Sequence, residues 1–271
     1  MRLRFVSCLL AFAACALAQG PKILIVTDME GVGGVNNAEE QLLPGQRRFE
    51  ESRRILTGEI NAAVIAAKAA GASTVVVWDG HDGSRALALD EIDSRASLLQ
   101  GRPTPANYYL SEKLYDGVMF IGQHAMAGAK GGVLAHSQSF NVERITLNGK
   151  PVGEIGQMAA VAGHFHIPVI MLAGDQAACD EIMELQPKAE TAAVKQLAGK
   201  NSTLSLPHAV AKEMIRAAVT RAVKNLKTYK PWTIDGPVEL KFEFKPEANR
   251  PTVSYRGATV LAAFEQWLGK L

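Results

Sequence analysis

Two hydrophobic rhythms alternate along the chain. Short, continuous, β-branched apolar runs stand at "KILIVT" (22–27), "TVVVWD" (74–79), "GVMFIG" (117–122) and "PVIMLAGD" (168–175). Between and after them lie stretches with helical spacing at roughly 45–70, 154–165 and 207–226, and a short closing helix at about 258–269. Strands apolar on both faces, separated by amphipathic helices, predict an α/β fold with a doubly wound, mainly parallel sheet covered on both sides. In the first long helix Phe49, Ile55, Leu56, Ile60 and Val64 point inward, whereas Arg47, Arg48, Arg53 and Arg54 read as a solvated face. "RITLNGKPVG" holds Asn148-Gly149 between extended segments, a hairpin signal, and "VELKFEF" (238–244) reads as a strand. These later segments predict a smaller α+β second lobe whose boundary the sequence does not mark.

The first residues change the picture of where the protein works. "MRLRFVSCLLAFAACALAQG" has a basic start, an apolar core and the small-residue site Ala16-Leu17-Ala18. Residues 1–18 are therefore expected to be a secretory signal peptide, cleaved near Ala18, with 19–271 as the catalytic chain. A retained N-terminal anchor and a lipoprotein attached through Cys15 are the weaker alternatives. The expectation is an exported protein, periplasmic or secreted, with no membrane association after cleavage. Removal of Arg2 and Arg4 leaves 27 basic against 27 acidic residues, a balance that argues against a nucleic-acid partner. Cys8 and Cys15 leave with the signal, so Cys179 has no partner for an internal disulfide.

Candidate chemistry collects at the ends of the predicted strands, where parallel α/β sheets bind their ligands. The run 22–27 ends in Asp28 and Glu30, two apart and so on one side of an extended segment. The run 74–78 ends in "DGHDG", with Asp79 and His81, and 117–121 ends in "GQHA", with His124. Glu154 stands at a predicted helix start in "PVGEIG". Two neighbouring carboxylates repel unless a cation lies between them. Asp28, Glu30, His81, His124 and Glu154 make a mixed oxygen and nitrogen set suited to zinc, with manganese or cobalt as second choices. Five ligands are too many for one catalytic ion with an open position; they suit two Zn2+ if one carboxylate bridges, and Asp28 is the natural bridge. His136, in the glycine-rich "AGAKGGVLAHS", is expected to be the catalytic histidine; a sixth ligand, or a loop histidine held by Ser137, is the alternative. His164, His166 and His208 read as structural.

The motifs "DMEG" (28–31), "DGHDG" (79–83), "GQHA" (122–125), "AHS" (135–137), "PVGEIG" (151–156), "IPVIMLAGD" (167–175) and "ETAAVKQ" (190–196), in this order, resemble the DppA-type, zinc-dependent D-aminopeptidase family. The resemblance runs to about residue 245. It implies Asp28, Glu30, His81, His124 and Glu154 as ligands of a di-zinc centre with Asp28 bridging, and His136 as the catalytic histidine. It also implies a two-lobed subunit and a homo-oligomeric ring, a decamer in the family. The chain departs from the family pattern at Gly80, where relatives usually carry Ser, in the abbreviated "KPEANRPTVSYRGATV" (245–260), and in its signal peptide.

Together these readings predict a metal-dependent aminopeptidase that removes N-terminal D-residues from short peptides with a free N-terminus, D-Ala-D-Ala being the natural example. The alternatives are another exported metallo-amidohydrolase or L-peptidase on the same scaffold, and an exported peptide-binding protein.

Overall fold

The structure, a computed structural model, describes residues 19–101, 110, 114–200 and 202–269, so the expected signal peptide lies outside it. In chain order the strands are β1 (Lys22–Thr27), β2 (Thr74–Trp78), β3 (Ser97–Leu99), β4 (Gly117–Gln123), β5 (Val142–Leu147) and β6 (Lys150–Pro151). They continue with β7 (Val169–Asp175), β8 (Glu190–Gly199), β9 (Ser202–Ser205), β10 (Val238–Phe244) and β11 (Val253–Gly257). The α-helices are α1 (Ala38–Gln41), α2 (Phe49–Ala69), α3 (Glu154–His164), α4 (Gln176–Leu185), α5 (His208–Lys224) and α6 (Val260–Leu268).

A seven-stranded sheet has the order β3-β2-β1-β4-β7-β8-β9. Pairing is parallel from β3 through β8, and β9 runs antiparallel to β8. The chain leaves β1 toward β2 and β3 on one side, then crosses to β4, β7 and β8 on the other. The order therefore reverses between β1 and β4, the switch point at which open α/β sheets leave a crevice. A second, antiparallel sheet, β11-β10-β5-β6, forms the smaller lobe. Its β5–β6 hairpin turns on Asn148 (φ +49°) and Gly149 (φ +81°), the left-handed pair that an Asn-Gly turn supplies.

Alternation along β1 divides the core. Ile23 and Ile25 face a layer with Leu56, Ile60 and Val64 of α2 and Ile215 and Val219 of α5. Leu24 and Val26 face the opposite layer with Ile155 of α3, Leu240 and Phe242 of β10 and Phe264 of α6. Burial on both faces is why the strand reads as an unbroken apolar run. The long helix begins at Phe49 rather than near 45, because a turn through Gly45 (φ +89°) precedes it. Its arginines pair on the surface as expected of a solvated face: Arg47 with Glu40, Arg48 with Glu51, Arg53 with Glu50 and Glu91. Among the described residues no helix is long and apolar enough to cross a membrane.

Candidate metal centre

The site forms because the chain stays paired to β4 beyond the end of β1. Asp28 N–H donates to Ile121 O at 2.9 Å and Gly31 N–H to Gly122 O at 2.7 Å. Only glycine permits this approach: a Cβ on Gly31 would lie 1.9 Å from Gln123 O, and one on Gly122, at φ +79°, would lie 2.0 Å from Asp28 O. Asp28 thereby stands beside His124, which follows β4 directly. The turn after β2 brings in His81. Its Gly80 does not slacken the loop, since its backbone lies against Thr27 O, 2.5 Å from where a Cβ would be. Glu154 is the first residue of α3, as its sequence context predicts, and Gly153 occupies the N-cap.

All five expected ligands converge, and His136 joins them. Asp28 divides its oxygens: Oδ1 is 2.9 Å from His81 Nδ1 and Oδ2 is 3.2 Å from His124 Nε2. Glu30 Oε2 is 3.1 Å from His81 Nδ1. Glu154 Oε1 lies 3.6 Å from His124 Nε2 and 3.8 Å from His136 Nε2. Ligand atoms of Asp28, Glu30 and His81 all fall within 4.8 Å of one another, as do those of His124, His136 and Glu154. Asp28 contacts histidines of both groups, the position a bridging carboxylate needs. Gln123 Nε2 donates to Asp28 Oδ2 at 3.0 Å, and Met29 N–H donates to Oδ1 at 2.9 Å, which fix the carboxylate's plane.

The outward nitrogens of the three rings fix their protonation. His81 Nε2 donates to Leu42 O at 2.8 Å, His124 Nδ1 to Ala125 O at 2.8 Å and His136 Nδ1 to Leu134 O at 2.9 Å. A carbonyl oxygen only accepts, so each of these nitrogens carries the proton and the other nitrogen's lone pair is turned toward the carboxylates. This is the anchoring that orients metal-ligating histidines. Glu30 Oε2 and His124 Nε2 are buried without a hydrogen-bond partner, as atoms reserved for a cation would be. With protons alone, the same crowding is relieved by charging the histidines. Burial opposes charge on His81 and His124, but the facing carboxylates outweigh it and raise both well above the ordinary imidazole range. Burial would likewise raise Asp28, yet its bonds to His124 and His81 hold it well below the carboxylate range. Glu154 is lowered in the same way against its burial, chiefly by His124. The donor set fits zinc.

His136 stacks on His124 with ring centroids 4.0 Å apart, and on Phe140 at 4.2 Å. Leu134 (φ +55°) and Gln138 (φ +63°) hold this loop in left-handed backbone conformations that non-glycine residues seldom adopt, as often found where a loop serves a site. Gln138 N–H also donates to Glu154 Oε1 at 2.7 Å.

Around the centre stand residues whose supporting roles the sequence did not mark. Lys195 of β8, almost fully buried, donates to the carbonyl oxygens of Glu30 and Val35 and so clasps the loop that holds two ligands. Burial pulls its ammonium down to about 8 although Asp175, Glu30 and Glu59 oppose that. Glu181 of α4 accepts from Met126 N–H at 2.8 Å, tying the His124 loop toward Gly153; burial raises its carboxyl to about 7. Asp79, metal-competent by sequence, instead accepts from Ala86 N–H, Leu87 N–H and Gln100 Nε2 at 3.0–3.1 Å and organises the loop after β2. His208 packs against Gly58 of α2, outside the cluster. Replacing Lys195 with Met leaves two buried carbonyls unpaired, a loss of about 3 kcal/mol. For a chain of this size, that lowers the melting temperature by roughly 6–12 °C. A calorimetric scan of Lys195→Met showing an unchanged transition would refute the clasp.

Fold and site together define an α/β protein with a carboxylate–histidine centre at the switch point of its parallel sheet. The family model described as D-aminopeptidase matches residues 22–259. The chain is 34% identical over 226 residues to the D-aminopeptidase of Bacillus subtilis (strain 168), covering 82% of this chain and 81% of that protein. It superposes on the solved structure of the Zn-dependent D-aminopeptidase DppA from Bacillus subtilis, a self-compartmentalizing protease. That match has a TM-score of 0.83 and 29% identity, covering 92% of this chain and 96% of the other. The chain belongs to the D-aminopeptidase family and is a hydrolase of the aminopeptidase class.

Proposed function

We propose that the protein is a zinc-dependent D-aminopeptidase, exported by its N-terminal signal, that hydrolyses short peptides of the D-Ala-D-Ala kind with two Zn2+ per subunit. The observation that carries this reading is the set of three histidines, each tied to a backbone carbonyl through one nitrogen and turned toward Asp28, Glu30 and Glu154 with the other. Asp28, Glu30 and His81 would hold one ion, and Asp28, His124 and Glu154 the second. Bound zinc would supply Lewis acidity, polarising a carbonyl and lowering a water's pKa toward about 7.

The chain's own groups do the rest. Asp28 and Glu154 open onto a cavity, so a short peptide lying in it would present its scissile carbonyl to the centre. His136, protonated at Nδ1 and open at Nε2, can take the proton released as water adds to the scissile carbonyl carbon. It then passes that proton to the leaving amine nitrogen as the C–N bond breaks. Preference for the D-configuration rests on family membership. Assembly into a homo-oligomeric ring follows the family resemblance, and the self-compartmentalizing relative supports self-association. Exposed Leu204, Val210 and Met214 offer apolar surface for subunit contacts.

Metal analysis of the purified protein tests the two-ion site, with two zinc per chain expected. A stoichiometry of one, unchanged by added zinc, would overturn it.

A further inference from the structure

The crevice at the switch point does not end at the metal centre. It widens into a cavity of about 580 Å³ bounded on one side by Asp28, Gln123 and Glu154 and on the other by the smaller lobe. Ligand sites of roughly 300–1,000 Å³ suit molecules well beyond a pair of alanines. The far wall is aromatic and already assembled. Phe242 of β10 lies 5.2 Å from Trp267 of α6 and meets Tyr255 of β11 edge-on at 5.9 Å, and Phe264 packs edge-on to Trp267 at 5.9 Å. Phe244 extends that wall, and over its ring, 4.1 Å from the centroid, sits the guanidinium of Arg250.

Arg250 is the one cation among the described residues that line this cavity; the other charged groups there, Asp28, Asp79 and Glu154, are acids. They come from the parallel sheet and α3, whereas Arg250 comes from the β10–β11 connection. Among the described residues no carboxylate lies within ion-pair distance of Arg250. The cavity thus offers the metal centre at one end, an apolar aromatic face between, and a guanidinium at the other. A short peptide with its scissile bond at the centre and a free C-terminal carboxylate beyond it has the complementary order.

We infer that Arg250 holds the C-terminal carboxylate of the substrate, and that the aromatic wall takes the side chain of the leaving residue, so that the enzyme is selective for dipeptides ending in a large apolar residue. This rests on the D-aminopeptidase reading. A planar guanidinium binds carboxylate through two parallel hydrogen bonds, and stacking on Phe244 pre-orients its plane.

The test uses the zinc-loaded full-length protein and Arg250→Met, a substitution at an exposed position that keeps an apolar stem over Phe244. Substrates are D-Ala-D-Ala, D-Ala-D-Phe and D-Ala-D-Phe amide. Wild type is expected to prefer D-Ala-D-Phe over D-Ala-D-Ala by about 10-fold in kcat/KM. Amidation, which removes the carboxylate, is expected to raise KM by about 10-fold or more, with kcat little changed. Arg250→Met should raise KM for the free acid equally and leave the amide unaffected. Equal KM for acid and amide, with Arg250→Met matching wild type, would overturn the inference while leaving D-aminopeptidase activity in place. Failure to cleave any D-peptide would instead remove the activity reading. The subsite is then decided by calorimetric binding of D-Ala-D-Phe and its amide to metal-stripped wild type and Arg250→Met. Weaker binding on amidation and on substitution supports it, and equal binding refutes it.

Discussion

Asp28→Asn should lower kcat/KM by at least about 10³-fold and reduce bound zinc from two ions per chain to one or none. The effect is expected to be the largest of any single substitution because Asp28 faces His81 with one oxygen and His124 with the other. An amide in its place keeps the volume but turns an NH2 toward one histidine lone pair, where it cannot ligate a metal. The fold should survive, since the Asn carbonyl oxygen can still accept from Met29 N–H, as Asp28 Oδ1 does now. Circular dichroism and a melting scan serve as the control for folding. A soluble Asp28→Asn protein with two zinc ions and more than a tenth of wild-type kcat/KM would contradict the bridging role.

His136→Ala should separate chemistry from metal binding. Turnover is expected to fall by about 10²–10⁴-fold, the usual range for loss of a positioned proton-transfer group, while zinc content and KM stay close to wild type. The loop that carries His136 is held independently of the ring. Val133 N–H donates to Asp175 Oδ2 at 3.0 Å, Ala127 N–H to Ser137 Oγ at 3.1 Å and Gln138 N–H to Glu154 Oε1. Removing the imidazole therefore leaves the backbone path intact. The closeness of His136 to His124 and Glu154 gives the experiment its second edge. A fall from two zinc ions to one would make His136 a ligand and place proton transfer elsewhere.

How much of this could be read from the sequence follows from how local each signal is. Asp28, Glu30, His81 and His124 were legible because a parallel strand is a buried apolar run, and polar metal-type residues immediately after such a run have one place to be. Glu154 was legible through the glycine and helix start around it. Asp79 carried the same surface pattern, yet its oxygen is spent on backbone N–H groups at Ala86 and Leu87, contacts seven and eight residues downstream that no strand-end pattern announces. Lys195 stands in the family motif "ETAAVKQ", but its role was not legible there, because only the sheet order places β8 where its ammonium reaches the Glu30 carbonyl. The second lobe was anticipated from Asn148-Gly149 and "VELKFEF". Its aromatic wall was not, because Phe242, Tyr255 and Trp267 come from three separate elements whose pairing is set by tertiary packing.

A metal-dependent, D-selective aminopeptidase is inactive without its metal and does not cleave the L-peptide. The most direct test strips the purified protein of metal, reloads it with zinc, and offers D-Ala-D-Ala and L-Ala-L-Ala to both forms. Alanine released from the D-peptide by the zinc-loaded form, with none from the L-peptide and none from the stripped form, is the predicted result. Cleavage of the D-peptide by the stripped form at an undiminished rate, or cleavage of the L-peptide in its place, would contradict it.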